Sequence, residues 1–218
     1  MNPSLKFLLA VLIALEISFT STWMVNLALA IIGLLIILTS RPPLKRLVLL
    51  FFVPLIPAVA LAVAILLQSN AGMHFALVLF TRIYAYVFVG SAATLTTSVS
   101  DLVMSLEQNA HIPSKFAYGF LGAFDLLPKI VSEVNVIRAA GNMRGQALHI
   151  WSPQLYFKAI LASLDWSENL AEAMTSHGFS EGAPRTYFKQ IRVHWWDWCI
   201  MISSLLLLQI ALFGLHLQ

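Results

Sequence analysis

The chain lacks most of what holds a water-soluble domain together. Cys199 is its single cysteine in 218 residues, so no internal disulfide can close. No Cys/His cluster has zinc-like spacing either, which removes the other common staple and any expectation of a metal or cofactor. Charged residues are 11% of the chain against 59% hydrophobic, and mean hydropathy is +0.82. Soluble domains carry about 25% charged residues, so a soluble globular fold is excluded, as are disorder, collagen and coiled coil. Acids are nearly missing from the first half: residues 1–99 hold Glu16 alone beside five bases, whereas residues 100–190 hold eight acids and seven bases. The formal charge of +3 is therefore read as membrane topology, and no nucleic-acid partner is expected.

What the chain does have is long apolar runs. A helix needs about 20 apolar residues to cross about 30 Å of hydrocarbon. Leu47 to Leu67 and Cys199 to Leu217 are charge-free and long enough, and Met73 to Val99 is ample with Arg82 inside it. Leu5 to Thr20 and Trp23 to Leu38 are shorter, turning at Ser21-Thr22. Glu16 lies within the first run and no small-residue cleavage site follows, so that run is predicted to be retained rather than removed as a signal peptide. The reading is an all-α polytopic membrane protein with five spans: residues 1–99 carry four, residues 100–190 form a helical region with no run of spanning length, and residues 191–218 carry the last.

Orientation follows from the loops. Arg41-Pro42-Pro43-Leu44-Lys45-Arg46 is basic, while the turns at Ser21 and at Gln68-Ser69-Asn70 have no base. Lys and Arg stay on the cytoplasmic side, which predicts an inside N-terminus, a cytoplasmic 100–190 region and an outside C-terminus. His194-Trp195-Trp196-Asp197-Trp198 falls where the last span enters the bilayer and reads as an interfacial anchor. Glu16 and Arg82, near span ends in the outer half, are predicted to pair or to snorkel. Gly90-Ser91-Ala92-Ala93-Thr94 is a small-residue surface for close helix contact, and Pro54 and Pro57 are kinks that neighbouring helices absorb.

Within the 100–190 region, Phe116, Phe120, Ala123, Leu127, Ile130, Val134, Ile137 and Gly141 recur at helical spacing, with Pro128 expected to kink or divide that helix and Asp125 and Lys129 to pair on its surface. A second helix should start at Ser152-Pro153, its apolar side running Tyr156, Ala159, Ser163, Trp166, Leu170 and Ala173 and able to face membrane, core or partner. Both helices end alike. Ala140-Gly141-Asn142-Met143-Arg144-Gly145 and Ala173-Met174-Thr175-Ser176-His177-Gly178 each read as Ala, three residues, a base, then a glycine able to take the left-handed turn that stops a helix. A cation in a last turn is also ordinary helix-ending chemistry. The two copies, 33 residues apart, make Ala140, Arg144, Gly145, Ala173, His177 and Gly178 the candidate site.

These motifs resemble the transmembrane T component (EcfT, or CbiQ in cobalt systems) of energy-coupling factor (ECF) transporters, which carries two Ala-Arg-Gly-like motifs at the ends of cytoplasmic coupling helices. Arg144-Gly145 matches the first and Ala173 through Phe179 the second, and Glu181-Gly182-Ala183-Pro184-Arg185-Thr186-Tyr187 resembles the continuation. His177 stands where the family has arginine. The resemblance implies a non-catalytic scaffold in a prokaryotic cytoplasmic membrane. It would couple two ABC-type ATPases to a separate substrate-binding S component that takes up a vitamin, for instance a thiamine-related one, or a metal ion. Consistent with a borrowed energy source, no G-x-x-x-x-G-K-[ST] loop occurs. A membrane enzyme would be expected to show an H-E-x-x-H pair or a G-x-S-x-G turn, and neither occurs. A stand-alone transporter or channel would need mid-membrane ionisable residues and repeated spans.

Overall fold

The computed structural model describes residues 1–68, 72–180, 182–183 and 186–216. Of the motif continuation read above, Glu181, Pro184 and Arg185 lie outside the described residues, as do Ser69 and Asn70 of one predicted turn. Eight helices and no strand are present among the described residues: α1 (Pro3–Ser18), α2 (Trp23–Thr39), α3 (Leu44–Gln68), α4 (Gly72–Leu95), α5 (Val99–Asn109), α6 (Ser114–Met143), α7 (Pro153–Ser176) and α8 (Trp195–His216). They form two compact units, one of residues 1–105 with 191–218 and the other of residues 106–190.

In the first unit, stretches 44–67, 72–95 and 195–214 are long and apolar enough to cross a membrane. The chain is thus an all-α polytopic membrane protein. α1 and α2 have 16 and 17 residues, about 24–26 Å of helix, and fall short of a full hydrocarbon thickness. α2 ends through Arg41, which takes the left-handed conformation (φ 46°) usually left to glycine, just ahead of Pro42-Pro43. α4 stops at Leu95, four residues before the predicted end, because Thr96-Thr97-Ser98 turns the chain. The Thr96 hydroxyl donates to the Ala92 carbonyl (2.6 Å), and Ser98 Oγ accepts from the Asp101 N–H (3.1 Å) to open α5. Such hydroxyls offer the backbone an alternative to the helix ladder.

α4 is the organising helix, with α2 and α3 packed along it and α1 against both α4 and α8. Gly33 makes the α2 crossing possible: a Cβ there would lie 2.9 Å from the Phe88 carbonyl carbon. Ile17, Ala30, Ile37, Ala85, Phe88 and Ala92 form the core of this unit. Part of the small-residue surface foreseen in α4 is therefore used inside the chain, with Ala92 and Ala93 buried, while Gly90 faces open space. α3 runs through both Pro54 and Pro57. Near them the Phe51 carbonyl accepts from the Tyr84 hydroxyl of α4 (3.1 Å), and the Phe51 and Phe88 rings meet edge-on at 5.2 Å.

One sequence expectation is corrected here. Glu16 and Arg82 do not pair: Glu16 Oε1 accepts from Gln209 of α8 (3.2 Å), whereas the Arg82 guanidinium donates to the Thr20 carbonyl that ends α1. The carboxylate takes a side-chain amide within α8, and the guanidinium a backbone carbonyl just past the end of α1. Within the His194–Trp198 stretch, the Asp197 carboxylate accepts from the His194 N–H (3.2 Å) as the third-position acid of a helix cap.

The second unit is a hairpin of α6 and α7. α6 is one helix of 30 residues with Pro128 inside it, so the proline does not divide it. The packed face also differs from the predicted one in the first half of α6. Ala117, Leu121, Leu126, Ile130, Val134, Ile137 and Gly141 are buried or half-buried, whereas Phe116, Phe120, Ala123 and Leu127 are exposed. Gly122 sets this rotation, because its missing Cβ leaves room for Leu170 Cδ2, which would lie 2.9 Å from it. On α7, Leu155 and Ala159 are buried and Ser163 and Trp166 half-buried, but Tyr156, Leu170 and Ala173 are exposed. Asp125 and Lys129 form no ion pair, and both line a recess against Trp166 and Asn169.

Candidate functional site

Each hairpin helix ends in the same backbone construction. At the end of α6, Arg144 is the cap residue, Gly145 follows in the left-handed region (φ 74°), the Gly145 N–H donates to the Asn142 carbonyl (3.1 Å), and the Gln146 N–H donates to the Gly141 carbonyl (2.9 Å). At the end of α7, His177 is the cap residue and Gly178 follows at φ 81°. The Gly178 N–H donates to the Thr175 carbonyl (2.9 Å), and the Phe179 N–H to the Met174 carbonyl (2.9 Å). Both are Schellman turns, in which these two crossed bonds satisfy carbonyls that a helix end would leave bare. A non-glycine residue in the left-handed conformation costs about 1–2 kcal/mol, which is the physical reason for Gly145 and Gly178.

The construction leaves the two bases at equivalent tip positions. Arg144 and His177 are exposed, and neither side chain makes a hydrogen bond or ion pair within the described residues. Ala140 and Ala173, one turn back, are exposed as well, so nothing bulky flanks either base along its helix. Around the first tip the chain also exposes Met143 (87%) and, in the α6–α7 connection, Trp151 (90%). Trp and Arg are the side chains most enriched among dominant contacts of protein interfaces.

The two tips are not brought together. α6 and α7 run antiparallel: the Tyr118 ring near the start of α6 meets the Phe179 ring just beyond the second tip, with centroids 5.7 Å apart. Arg144 lies at the far end of α6. At 1.5 Å per residue, the stretch from Tyr118 to Arg144 spans about 39 Å, so the tips point from opposite ends of the hairpin. They are two separate ends built to one design.

Two residues outside the candidate site, Gly141 and Leu148, maintain the first tip. A Cβ on Gly141 would lie 2.9 Å from both the Gln146 carbonyl oxygen and Leu148 Cδ1. The buried Leu148 folds back over the last turn and is possible there because position 141 has no side chain. The signal was present as a glycine before the base, absent from the second copy, where Met174 occupies the place. At the start of α7, Ser152 is the cap residue by position, yet its hydroxyl accepts from the His149 N–H (3.0 Å), which tightens the connection instead. Among the described residues no group of three His, Cys, Asp or Glu side chains could hold a metal ion.

Fold and site together define a polytopic membrane protein of helices with a separate helical hairpin whose two ends each carry a basic residue on a glycine turn. Residues 1–188 match the CbiQ family, described as cobalt transport protein, and the chain belongs to that family. A curated relative, the energy-coupling factor transporter transmembrane protein EcfT of Listeria innocua serovar 6a, is 27% identical over 152 residues, which is 62% of this chain. The match spans 57% of that relative's length.

Proposed function

We propose that the chain is the transmembrane scaffold of an ECF-type transporter, each hairpin tip seating in one of two ABC-type ATPase subunits, and that it catalyses no reaction itself. The observation that carries this reading is the pair of matched Schellman turns about 39 Å apart, each presenting an unpaired base. Two like partners, one per tip, are the simplest complement to two like tips at opposite ends of one hairpin. The fork of Arg144 offers five donors to carboxylate or carbonyl groups of a partner groove, and Met143 and Trp151 supply apolar area beside it. An exposed apolar stripe on the hairpin, including Phe120, Phe124 and Leu127 of α6 and Phe157, Ile160 and Leu164 of α7, is a surface for a membrane-embedded S component. Recognition of the vitamin or metal ion then belongs to that partner, and the 100–190 region faces the cytoplasm where ATP is.

Tagged purification in mild detergent, followed by identification of co-purifying chains, tests the reading. Two ABC-type ATPases and a small membrane protein are expected, with ATP turnover only in the assembled complex. Recovery of the chain without any ATPase, or ATP hydrolysis by the pure chain above contaminant level, contradicts it.

A further inference from the structure

The first unit contains an apolar trough of about 710 Å³ between α1, α2, α4 and α8. Its walls are aliphatic, from Leu9, Ile13, Leu29, Ile32, Leu207 and Leu208 among others. One end is different. Lys6 of α1 lines it, and its ammonium donates to the Thr96 hydroxyl (2.9 Å) and the Thr96 carbonyl (3.3 Å), both neutral acceptors. Among the described residues no carboxylate pairs with Lys6, and the nearby Asp197 is already engaged, with the Met1 nitrogen at 3.8 Å and the His194 N–H. A partly buried ammonium without a carboxylate at the mouth of a hydrocarbon trough calls for an external anion attached to an apolar tail.

The dimensions name the tail. Along α8 the trough is lined from Ile200 to Ala211, about 16 Å of helix at 1.5 Å per residue, which is about half of the 30 Å hydrocarbon thickness. The Lys6 end is level with the start of α8, where Trp195 and Trp196 are exposed, and tryptophan marks the headgroup level. Ile200 lies five residues, about 8 Å, beyond Trp195, so the trough begins just inside the headgroup level, within snorkelling reach of a lysine, and is about as long as one leaflet is deep. We infer that it is a site for one anionic phospholipid, its phosphate on Lys6 and an acyl chain between α2 and α8. α2 and α8 touch only lightly, so the lipid fills space between them, while α8 is held to this unit through α1.

The purified chain in mild detergent, offered equal amounts of phosphatidylglycerol and phosphatidylethanolamine with identical acyl chains, tests this by native mass spectrometry. One retained phospholipid is expected; both headgroups present a phosphate to Lys6, and phosphatidylglycerol is favoured about tenfold because it lacks the ammonium that offsets this charge in phosphatidylethanolamine. Lys6→Gln keeps a donor for Thr96 but removes the charge, and it should bring the preference close to unity. Lys6→Arg should retain the preference, which separates charge from packing. Ala28→Phe, placed where α2 exposes a small trough residue, should lower retention of both lipids about tenfold without moving Tm. The inference is overturned if the wild-type chain retains no phospholipid, if Lys6→Gln keeps the full preference, or if Ala28→Phe leaves retention unchanged. Photo-crosslinking from position 28 in the assembled complex to a partner's transmembrane helix, instead of to lipid, overturns it equally.

Discussion

Arg144 and His177 occupy the same backbone position in two copies of one turn, yet they are chemically unequal. Guanidinium is always charged and presents a planar fork, whereas imidazole carries charge only when protonated. Arg144→Ala is therefore expected to abolish ATPase co-purification or uptake. Truncating one partner of a buried charged pair costs about 2–5 kcal/mol, while the local helix end loses only about 0.3–1 kcal/mol of dipole stabilisation. His177→Ala should be milder and His177→Arg tolerated. Pull-down and uptake assays on these variants, each first checked for membrane insertion, measure the difference. Wild-type assembly in the Arg144→Ala, His177→Ala double variant would show that the tips are merely helix ends. The bases and glycines were legible in the sequence because a left-handed residue needs glycine. The role of Gly141 was not, because it depends on Leu148 folding back over the helix, a contact between residues that no helical period relates.

At the scale of elements, the sequence announced where helices lie better than which way they face. Composition and length locate α2, α3, α4 and α8 to within a few residues, since an apolar run in a membrane has no other structure available. Rotation is harder. The face of α6 is set by Gly122 accepting Leu170, and an apolar residue such as Phe120 or Leu127 is as acceptable to lipid or partner as to a core, so periodicity loses its discriminating power. Pro128 left the helix whole because only one backbone bond is lost and the rest of the 30-residue helix carries on. Close approach of α2 to α4 gives the sharpest stability test. Gly33→Ala would push a Cβ to 2.9 Å from the Phe88 backbone, and overpacking of this kind costs about 1–3 kcal/mol. Gly90→Ala, at a position with open space, should be neutral or slightly stabilising through helix propensity. Thermal unfolding in detergent should show a lower Tm for the first variant only. Equal Tm values would mean that α2 and α4 do not cross at Gly33.

The whole molecule divides its tasks between two units, an apolar bundle and a hairpin with bases at both tips. Orientation rests on Arg41, Lys45 and Arg46 and the positive-inside rule. In a Cys199→Ala background, Trp151→Cys should be labelled by an impermeant thiol reagent only from the cytoplasm and Phe19→Cys only from outside, both positions being exposed. Labelling of both from one side would remove the hairpin from the compartment that holds the ATPases. The central claim is that the two tips engage two ATPase copies at once, and distance decides it, because tips about 39 Å apart cannot share one small groove. The most direct measurement is photo-crosslinking from positions 144 and 177 of the same chain in the assembled complex, with the products sized and sequenced. The account predicts a doubly crosslinked product holding one chain and two ATPase subunits, with each tip joined to a different copy. Both tips joined to the same copy, or neither joined to any ATPase, would contradict it.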